Sequence, residues 1–396
     1  MVERTWRPTW AEIDLHALRA NVRLLREVSA PAVVCAVVKA DGYGHGAVAV
    51  AEAALQAGAV GLAVALVEEG IELRQAGIAA PILLLSEPSI DAAEAVLEHT
   101  LTPTLYSEEG LAALERAAHV VGGRGTVHVK VDTGMHRVGL EPGMVVDFVG
   151  AVNKAPGLTL QGFWTHLAVA DGEGAEDREF TELQVSRFEQ HLRDMGERGI
   201  RPAVRHAANS AGAIAYPGSR FDLVRTGIAL YGELPRPSMA GALAAAAGDR
   251  SLQPVLSLRA RVVALRRLDA GERPSYGRAR PLPASSMVAT VPIGYADGVP
   301  RRLFECCGGV LIGGRRRSLA GTVTMDQIVV DCGPEGDVSA GDEVVLIGRQ
   351  GHQSIDAAEW AERLGTISYE ILTGIGPRVP RVTRAETRPG PAAGAP

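Results

Sequence analysis

The sequence predicts an α/β protein: a (β/α)8 barrel over residues 10–236, a mostly β domain over 250–382, and a disordered tail at 383–396. Three observations lead there. From residue 10 to about 232, short apolar runs alternate with longer segments of helical period, about eight pairs in roughly 230 residues, which is the size of such a barrel. Past "ELPRPSMAGALAAAAGDR", a Pro/Ala/Gly-rich linker or surface excursion, the runs shorten and Gly-containing turns separate them, as in a β domain. The final "RAETRPGPAAGAP" has too little apolar content to join a core. A doubly wound open sheet produces the same alternation in the first region, and the pattern alone leaves it open.

The barrel strands are expected in "PAVVCAVVK", "AVGLAVAL", "PILLLS", "LTPTLY", "VHVKVD", "LQGFWTHLA", "PAVRHA" and "FDLVRTGIALYG". Helical period fills the gaps, as in "DLHALRANVRLLREV", "AVAVAEAALQAG" and "DREFTELQVSRFEQHLRDMGERG", and Asp14 is placed to cap the first of these. In the second domain the runs are "VLSLRARVVALRRL", "SMVATVPIGYA", "GVLIGG", "TMDQIVVDCG" and "DEVVLIG", with one helix near "DAAEWAERLG".

Composition narrows the function. Apolar residues make up 46% of the chain and charged ones 22%, as in ordinary globular proteins, and a net charge of −6 argues against a nucleic-acid binder. The opening "MVERTWRPTW" has no apolar segment of a secretory signal, and no run reaches the length of a membrane span. Cys35, Cys306, Cys307 and Cys332 form no CxxC pair, so the expectation is a reduced, cytoplasmic protein.

The reactive side chains gather on one predicted face. Lys39, Lys130, His166, His206 and Arg225 end apolar runs, and Arg137 and Ser210 follow in the next loops. The C-terminal ends of the strands are where barrels build their sites. A lone strand-end lysine is usually a solvated cap, but seven such residues on one face are not explained that way. Lys39 ends a buried run and enters the glycine-rich "DGYGHG", a setting in which partial burial lowers an amine's pKa and frees it as a nucleophile. No Walker-type loop, HExxH or GxSxG competes, and no short-range ligand pair supports a metal.

"VVKADGYGHG" resembles the pyridoxal-phosphate signature of bacterial alanine racemases, and further motifs follow in the family's order across residues 9–382. They are "WAEIDLHALRANV", "VKVDTGMHRVG", "THLAVAD", "HAANSAGAI", "VRTGIALYG", "PSYGR", "VPIGYADG", "MDQIVVD", "GTISYEIL" and "RVPR". The resemblance implies pyridoxal 5′-phosphate on the barrel, a C-terminal β domain, and a cytoplasmic homodimer with sites shared between subunits. By the same resemblance Lys39 holds the cofactor, and Tyr43, Ser210, Tyr369 and the backbone N–H groups of Gly227 and Ile228 bind its phosphate. Arg225 faces the pyridine nitrogen, Arg137 and the Met325 N–H bind the substrate carboxylate, and Lys130 carries a carbamate in many members.

Racemisation takes a proton from one face of Cα and returns one to the other, for which two opposed bases are the direct solution. The resemblance assigns Lys39 to the D-enantiomer and the partner subunit's Tyr276 to the L-enantiomer. A tyrosine near its reference pKa of about 10 needs neighbours favouring phenolate, and a His166–Arg225 network is the expected source. Arginine at the pyridine nitrogen cannot give up a proton, so the ring is a weaker electron sink and transamination is disfavoured. His136 stands where many members have glycine and Thr322 where many have arginine, which leaves substrate preference open to serine or a broader range. A fold-related decarboxylase would place a carboxylate by the ring nitrogen, and a non-catalytic binder resembles the barrel alone; Arg225, Tyr276 and the β domain favour the racemase. The supply of D-alanine for peptidoglycan is implied, with catabolic and secondary-metabolite roles left open.

Overall fold

The computed structural model describes residues 6–384. The chain forms two compact units, one spanning Leu18–Gln253 and one combining the segment through Ala17 with the chain from Pro254 onward. The first strand, β1 (Thr9–Ile13), belongs to the second unit.

Eight strands make up the first unit: β2 (Val33–Val37), β3 (Gly61–Val64), β4 (Ile82–Leu84), β5 (Thr104–Leu105), β6 (Gly125–Lys130), β7 (Leu158–Trp164), β8 (Val204–His206) and β9 (Leu223–Thr226). They pair in parallel in the orders β4-β3-β2-β9 and β5-β6-β7-β8. A parallel bridge, Leu83 to Thr102, joins the two sets on one side. On the other, the Arg225 N–H donates to the Ala208 carbonyl and the Asp222 N–H to that of Arg205, each at 3.0 Å. The ring is closed, which decides for the barrel over the open sheet.

All residues of β3 and β4 are buried, as expected of parallel strands covered on both faces. The helix Leu15–Ser29 turns Leu18, Val22 and Leu25 inward, and Asp14 Oδ1 caps its start by accepting from the His16 and Ala17 N–H groups at 2.9 Å each. The supposed linker after residue 236 contains a helix, Ala240–Ala247, with Leu243 and Ala247 buried in the barrel unit. Its alanines are the strongest helix formers, a preference that outweighed the flanking Pro and Gly.

The second unit's remaining strands are β10 (Leu256–Arg261), β11 (Ala264–Leu268), β12 (Ser286–Val291), β13 (Gly309–Ile312), β14 (Arg315–Ser318), β15 (Ile328–Asp331), β16 (Glu343–Gln350), β17 (Gln353–Ile355) and β18 (Arg381–Thr383). One sheet runs β14-β13-β16-β10-β1-β18 with β17 on β16, and a second runs β11-β12-β15. Residues 10–17 were expected in the barrel, yet β1 pairs antiparallel with β10 and parallel with β18. Its burial alternates strictly along "TWAEI", the period of a sheet with one covered face rather than of a doubly buried barrel strand. The run "VLSLRARVVALRRL" is two strands in different sheets, and the charged β14 was not foreseen. Arg317 of β14 is buried and pays for that position with a 2.6 Å ion pair to Asp337. Thr383 and Arg384, expected in the tail, are ordered: the Arg384 N–H donates to the Ile13 carbonyl at 2.9 Å. The rest of the expected tail, 385–396, lies outside the described residues.

Candidate active site

Lys39 follows β2 and leads into backbone that proteins rarely tolerate. Ala40, Asp41, Gly42 and Tyr43 have φ of 52°, 52°, 60° and 54°, one turn of left-handed helix. Each non-glycine residue in that conformation costs about 1–2 kcal/mol. Strain persists only where the surroundings over-determine it. The Glu69 carboxylate accepts from the N–H groups of Ala40 (2.6 Å), Ala65 (2.8 Å) and Leu66 (3.1 Å). Asp41 Oδ1 accepts from the Ala47 N–H at 2.8 Å, and the Tyr43 ring stacks on Tyr231 at 4.8 Å. Tyr231 in turn donates its hydroxyl to the Val37 carbonyl at 2.9 Å. Burial lowers the Lys39 pKa from the ordinary lysine value, the nearby Arg137 cation lowers it further, and Glu69 opposes both. The amine is therefore readier than a surface lysine to be neutral and nucleophilic.

Tyr43 points its hydroxyl at Gly227, where any Cβ would overlap it. Ser210 Oγ accepts from the Gly227 N–H at 2.9 Å and from the Ala229 N–H at 3.4 Å. The Tyr43 and Ser210 hydroxyls, from the segments that follow β2 and β8, thus meet at a glycine turn, where each can offer a proton to a phosphate. Burial pushes the Tyr43 phenol up to about 12, so it stays protonated and able to donate.

Arg225, on β9, is buried with its guanidinium 4.4 Å over the Trp164 ring. Nη1 donates to His206 Nδ1 at 2.8 Å; Nη2 donates to the Thr165 and Ala207 carbonyls at 2.9 and 3.0 Å and to His166 Nδ1 at 3.1 Å. Among the described residues none of these acceptors is a carboxylate, and Nε–H enters no hydrogen bond. Burial lowers the Arg225 pKa to about 9, which leaves it cationic at neutral pH. His166 is held well below the imidazole range by burial first, then by Arg225, Arg137, Lys130 and Lys39. A neutral ring follows, and the four cations make the mouth of the barrel attractive to anions.

Lys130, the last residue of β6, is buried, donates to the Val138 carbonyl and lies 5.4 Å from the Trp164 ring centre. Burial pulls its pKa down to about 8. In the loop that follows, Asp132 Oδ1 gathers the N–H groups of Gly134, Met135 and His136 at 2.9, 2.9 and 3.1 Å. His136 takes φ of 54°, and Arg137 beside it is exposed.

Tyr276, Met325 and Tyr369 belong to the second unit. Tyr276 is 74% exposed and sits between Ser275 (φ 69°), Gly277 (φ 76°) and Arg278 (φ 46°). The Ser275 hydroxyl donates to the Thr322 carbonyl at 2.6 Å, and Thr322 itself is buried. Met325 is 52% exposed on a turn whose carbonyls, those of Thr324 and Met325, accept from Tyr295 and Ala296 at 2.9 and 3.1 Å. Fully buried Asp297 anchors that segment through Arg7 at 2.8 Å and Arg378 at 3.3 Å. Tyr369 is half-buried on the helix Ser368–Thr373.

Residues 13–235 match the family of the alanine racemase N-terminal domain, and residues 255–383 that of its C-terminal domain. The chain belongs to the alanine racemase family. It is 47% identical to an alanine racemase of Symbiobacterium thermophilum over 96% of this chain and 98% of that one. The solved alanine racemase of D-cycloserine-producing Streptomyces lavendulae aligns with a TM-score of 0.88 at 38% identity, covering 96% and 98% of the two chains. A solved histidine racemase of Leuconostoc mesenteroides shares the racemase fold at TM-score 0.86 and 28% identity over 96% and 99%. The barrel brings together Lys39, Tyr43, Lys130, Arg137, His166, Ser210, Arg225 and Gly227 at the ends of its strands. Glu69, Asp41, Tyr231 and His128 escaped the sequence reading. Of these only His128 left a signal, the period-2 alternation of "VHVK" that puts it on the face of Lys130.

Proposed function

We propose that this protein interconverts L-alanine and D-alanine with pyridoxal phosphate, in a cytoplasmic homodimer whose active sites combine the barrel of one subunit with the β domain of the other. The observation that carries the reading is Arg225: a buried cation held by carbonyls and neutral imidazoles, with an Nε–H left to meet an acceptor such as a pyridine nitrogen. The phosphate is assigned to the Tyr43 and Ser210 hydroxyls at the Gly227 turn, which support it by their closeness there, with the Gly227 and Ile228 N–H groups and the Tyr369 hydroxyl as further donors once Ser210 turns to the phosphate. When bound, the cofactor supplies the aldehyde that takes the substrate amine and the ring that acidifies Cα–H.

The chain's own residues do the rest. Arg137 and the Met325 N–H hold the substrate carboxylate, fixing which Cα face each base meets. Lys39 Nζ, its proton affinity lowered by burial, exchanges a proton with Cα of the D-enantiomer. Tyr276 Oη does so on the opposite face for the L-enantiomer. Its exposure of 74%, like the 52% of Met325, supports a site that a second subunit completes. Lys130 is suited to react with carbon dioxide: the neutral amine attacks the carbon, a proton leaves, and the resulting anion pairs with Arg137. With its pKa near 8, labelled carbon dioxide should give a carbamate signal that grows as pH rises through that value. An uncapped Lys130 at full activity would remove this role.

Purified protein loaded with pyridoxal phosphate should convert either alanine enantiomer to the same mixture, followed by chiral chromatography. Serine and histidine run alongside measure the breadth left open by His136 and Thr322. Release of carbon dioxide, or no turnover of alanine, overturns the reading.

A further inference from the structure

Arg225 donates to His206, and that single bond dictates protons two residues further on. A guanidinium has five donors and no acceptor, so His206 Nδ1 must be unprotonated and the ring's proton must sit on Nε2. Nε2 lies 2.9 Å from His128 Nδ1, which must therefore accept, leaving the His128 proton on Nε2. That nitrogen faces Gln161 Oε1 at 3.2 Å, a carboxamide oxygen that only accepts. Every proton in the series points away from Arg225.

The site is built rather than incidental. His206 is fully buried and His128 nearly so. The pairing of β6 with β7 shifts register between Val127 and His128. A Cβ on Gly162, opposite His128 in that pairing, would fall inside the imidazole. A side chain at 162 would thus remove the ring's place. Trp164 stacks on His206 at 5.5 Å between centroids and fixes the ring's plane.

We infer that His206, His128 and Gln161 form a one-way relay of neutral hydrogen bonds that positions Arg225, with the proton positions set by Arg225 at one end and matched by the Gln161 oxygen at the other. Burial first and then the Arg225 cation keep both rings neutral, His128 down to about 4 against the opposing Gln161 hydrogen bond and His206 well below the usual range. A carboxylate in place of these rings would neutralise the guanidinium. The relay instead holds it in place and leaves its charge intact for whatever meets Nε–H. The catalytic consequence rests on the proposed role of Arg225 at the pyridine nitrogen; the proton positions do not.

The test is nitrogen NMR on holoenzyme labelled with [15N]histidine, between about pH 6 and 8. His206 and His128, assigned by their loss in His206→Gln and His128→Asn, should each show a protonated Nε2 and a bare Nδ1. In Gln161→Glu the added carboxylate should draw a second proton onto His128, so that His206 must turn a proton toward Arg225. Its kcat should fall about 10-fold or more, the size of one hydrogen bond to a charged group, with KM little changed. Gln161→Met, which only deletes the terminal acceptor, should cost less. His128→Asn, whose Oδ1 can replace Nδ1 as acceptor, should retain more activity than His128→Leu. An Nδ1-protonated or doubly protonated ring in the native protein overturns the relay, as do equal kcat losses for Glu and Met at 161. The NMR result needs no turnover, so the relay and the racemase reading can fail separately.

Discussion

Lys39 and Tyr276 both sit beside left-handed backbone, but the two units hold their strained turns differently. Around Lys39, three non-glycine residues with positive φ are locked by Glu69, Asp41 and the stacked pair Tyr43–Tyr231; Ala40 and Asp41 are exposed, while Gly42 and Tyr43 are buried. Around Tyr276, Ser275 and Arg278 carry similar strain in an exposed loop, tied by the Ser275–Thr322 bond and by Arg273, which donates to the Arg278 carbonyl at 3.0 Å. The first turn is organised by its own unit before any ligand arrives. The second has its reactive group in water. This contrast is what a base completed only by assembly would look like.

Removing what over-determines the Lys39 turn should have the largest effect. Glu69→Ala takes a charged acceptor from three backbone donors, of which the Ala65 N–H is half-buried and the other two reach water, so a stability loss of about 1.5–3 kcal/mol is expected in urea unfolding, together with weaker cofactor retention. A variant as stable as the native protein would mean the turn holds itself, and the contrast between the two regions would collapse. A smaller change runs the other way. His136→Gly relieves a non-glycine residue at φ 54° and should raise stability by about 1 kcal/mol, read as a Tm increase of a few degrees. If Tm falls, the side chain is anchoring the Arg137 loop through Asp132, 3.6 Å away. The smallest stability effect is expected from Ser275→Ala, about 1 kcal/mol for one neutral hydrogen bond at a half-buried site. Its loss of racemisation should nevertheless exceed its loss of stability, because the bond aims Tyr276. Proportionate losses would make Ser275 merely structural.

Much of the barrel was legible because parallel strands covered on both faces must be near-continuous apolar runs, and a lysine ending such a run is conspicuous. The placement of β1 was not, since its partners β10 and β18 lie hundreds of residues away and no local pattern encodes that pairing. β14 was hidden for another reason: its arginines read as solvated surface until Asp337 is seen beside Arg317. At the site, Lys39 and Arg225 announced themselves at strand ends and Ser210 in the loop that follows one. The left-handed turn did not, because one glycine among Ala40, Asp41 and Tyr43 gives no hint that all four residues turn left. Glu69 supports that turn from about thirty residues away, a dependence visible only in three dimensions.

The central claim is that Tyr276 serves one face of Cα and Lys39 the other, across a subunit boundary. The direct measurement is Cα hydrogen–deuterium exchange in heavy water by Tyr276→Phe, combined with mixing of Tyr276→Phe and Lys39→Ala subunits. The variant should keep exchange on D-alanine while exchange on L-alanine and racemisation fall by at least about 10²–10⁴ fold. Mixed dimers should regain activity, since one of their two sites has both residues intact. Equal exchange on both enantiomers, or no recovery once subunit exchange is demonstrated, would contradict the account.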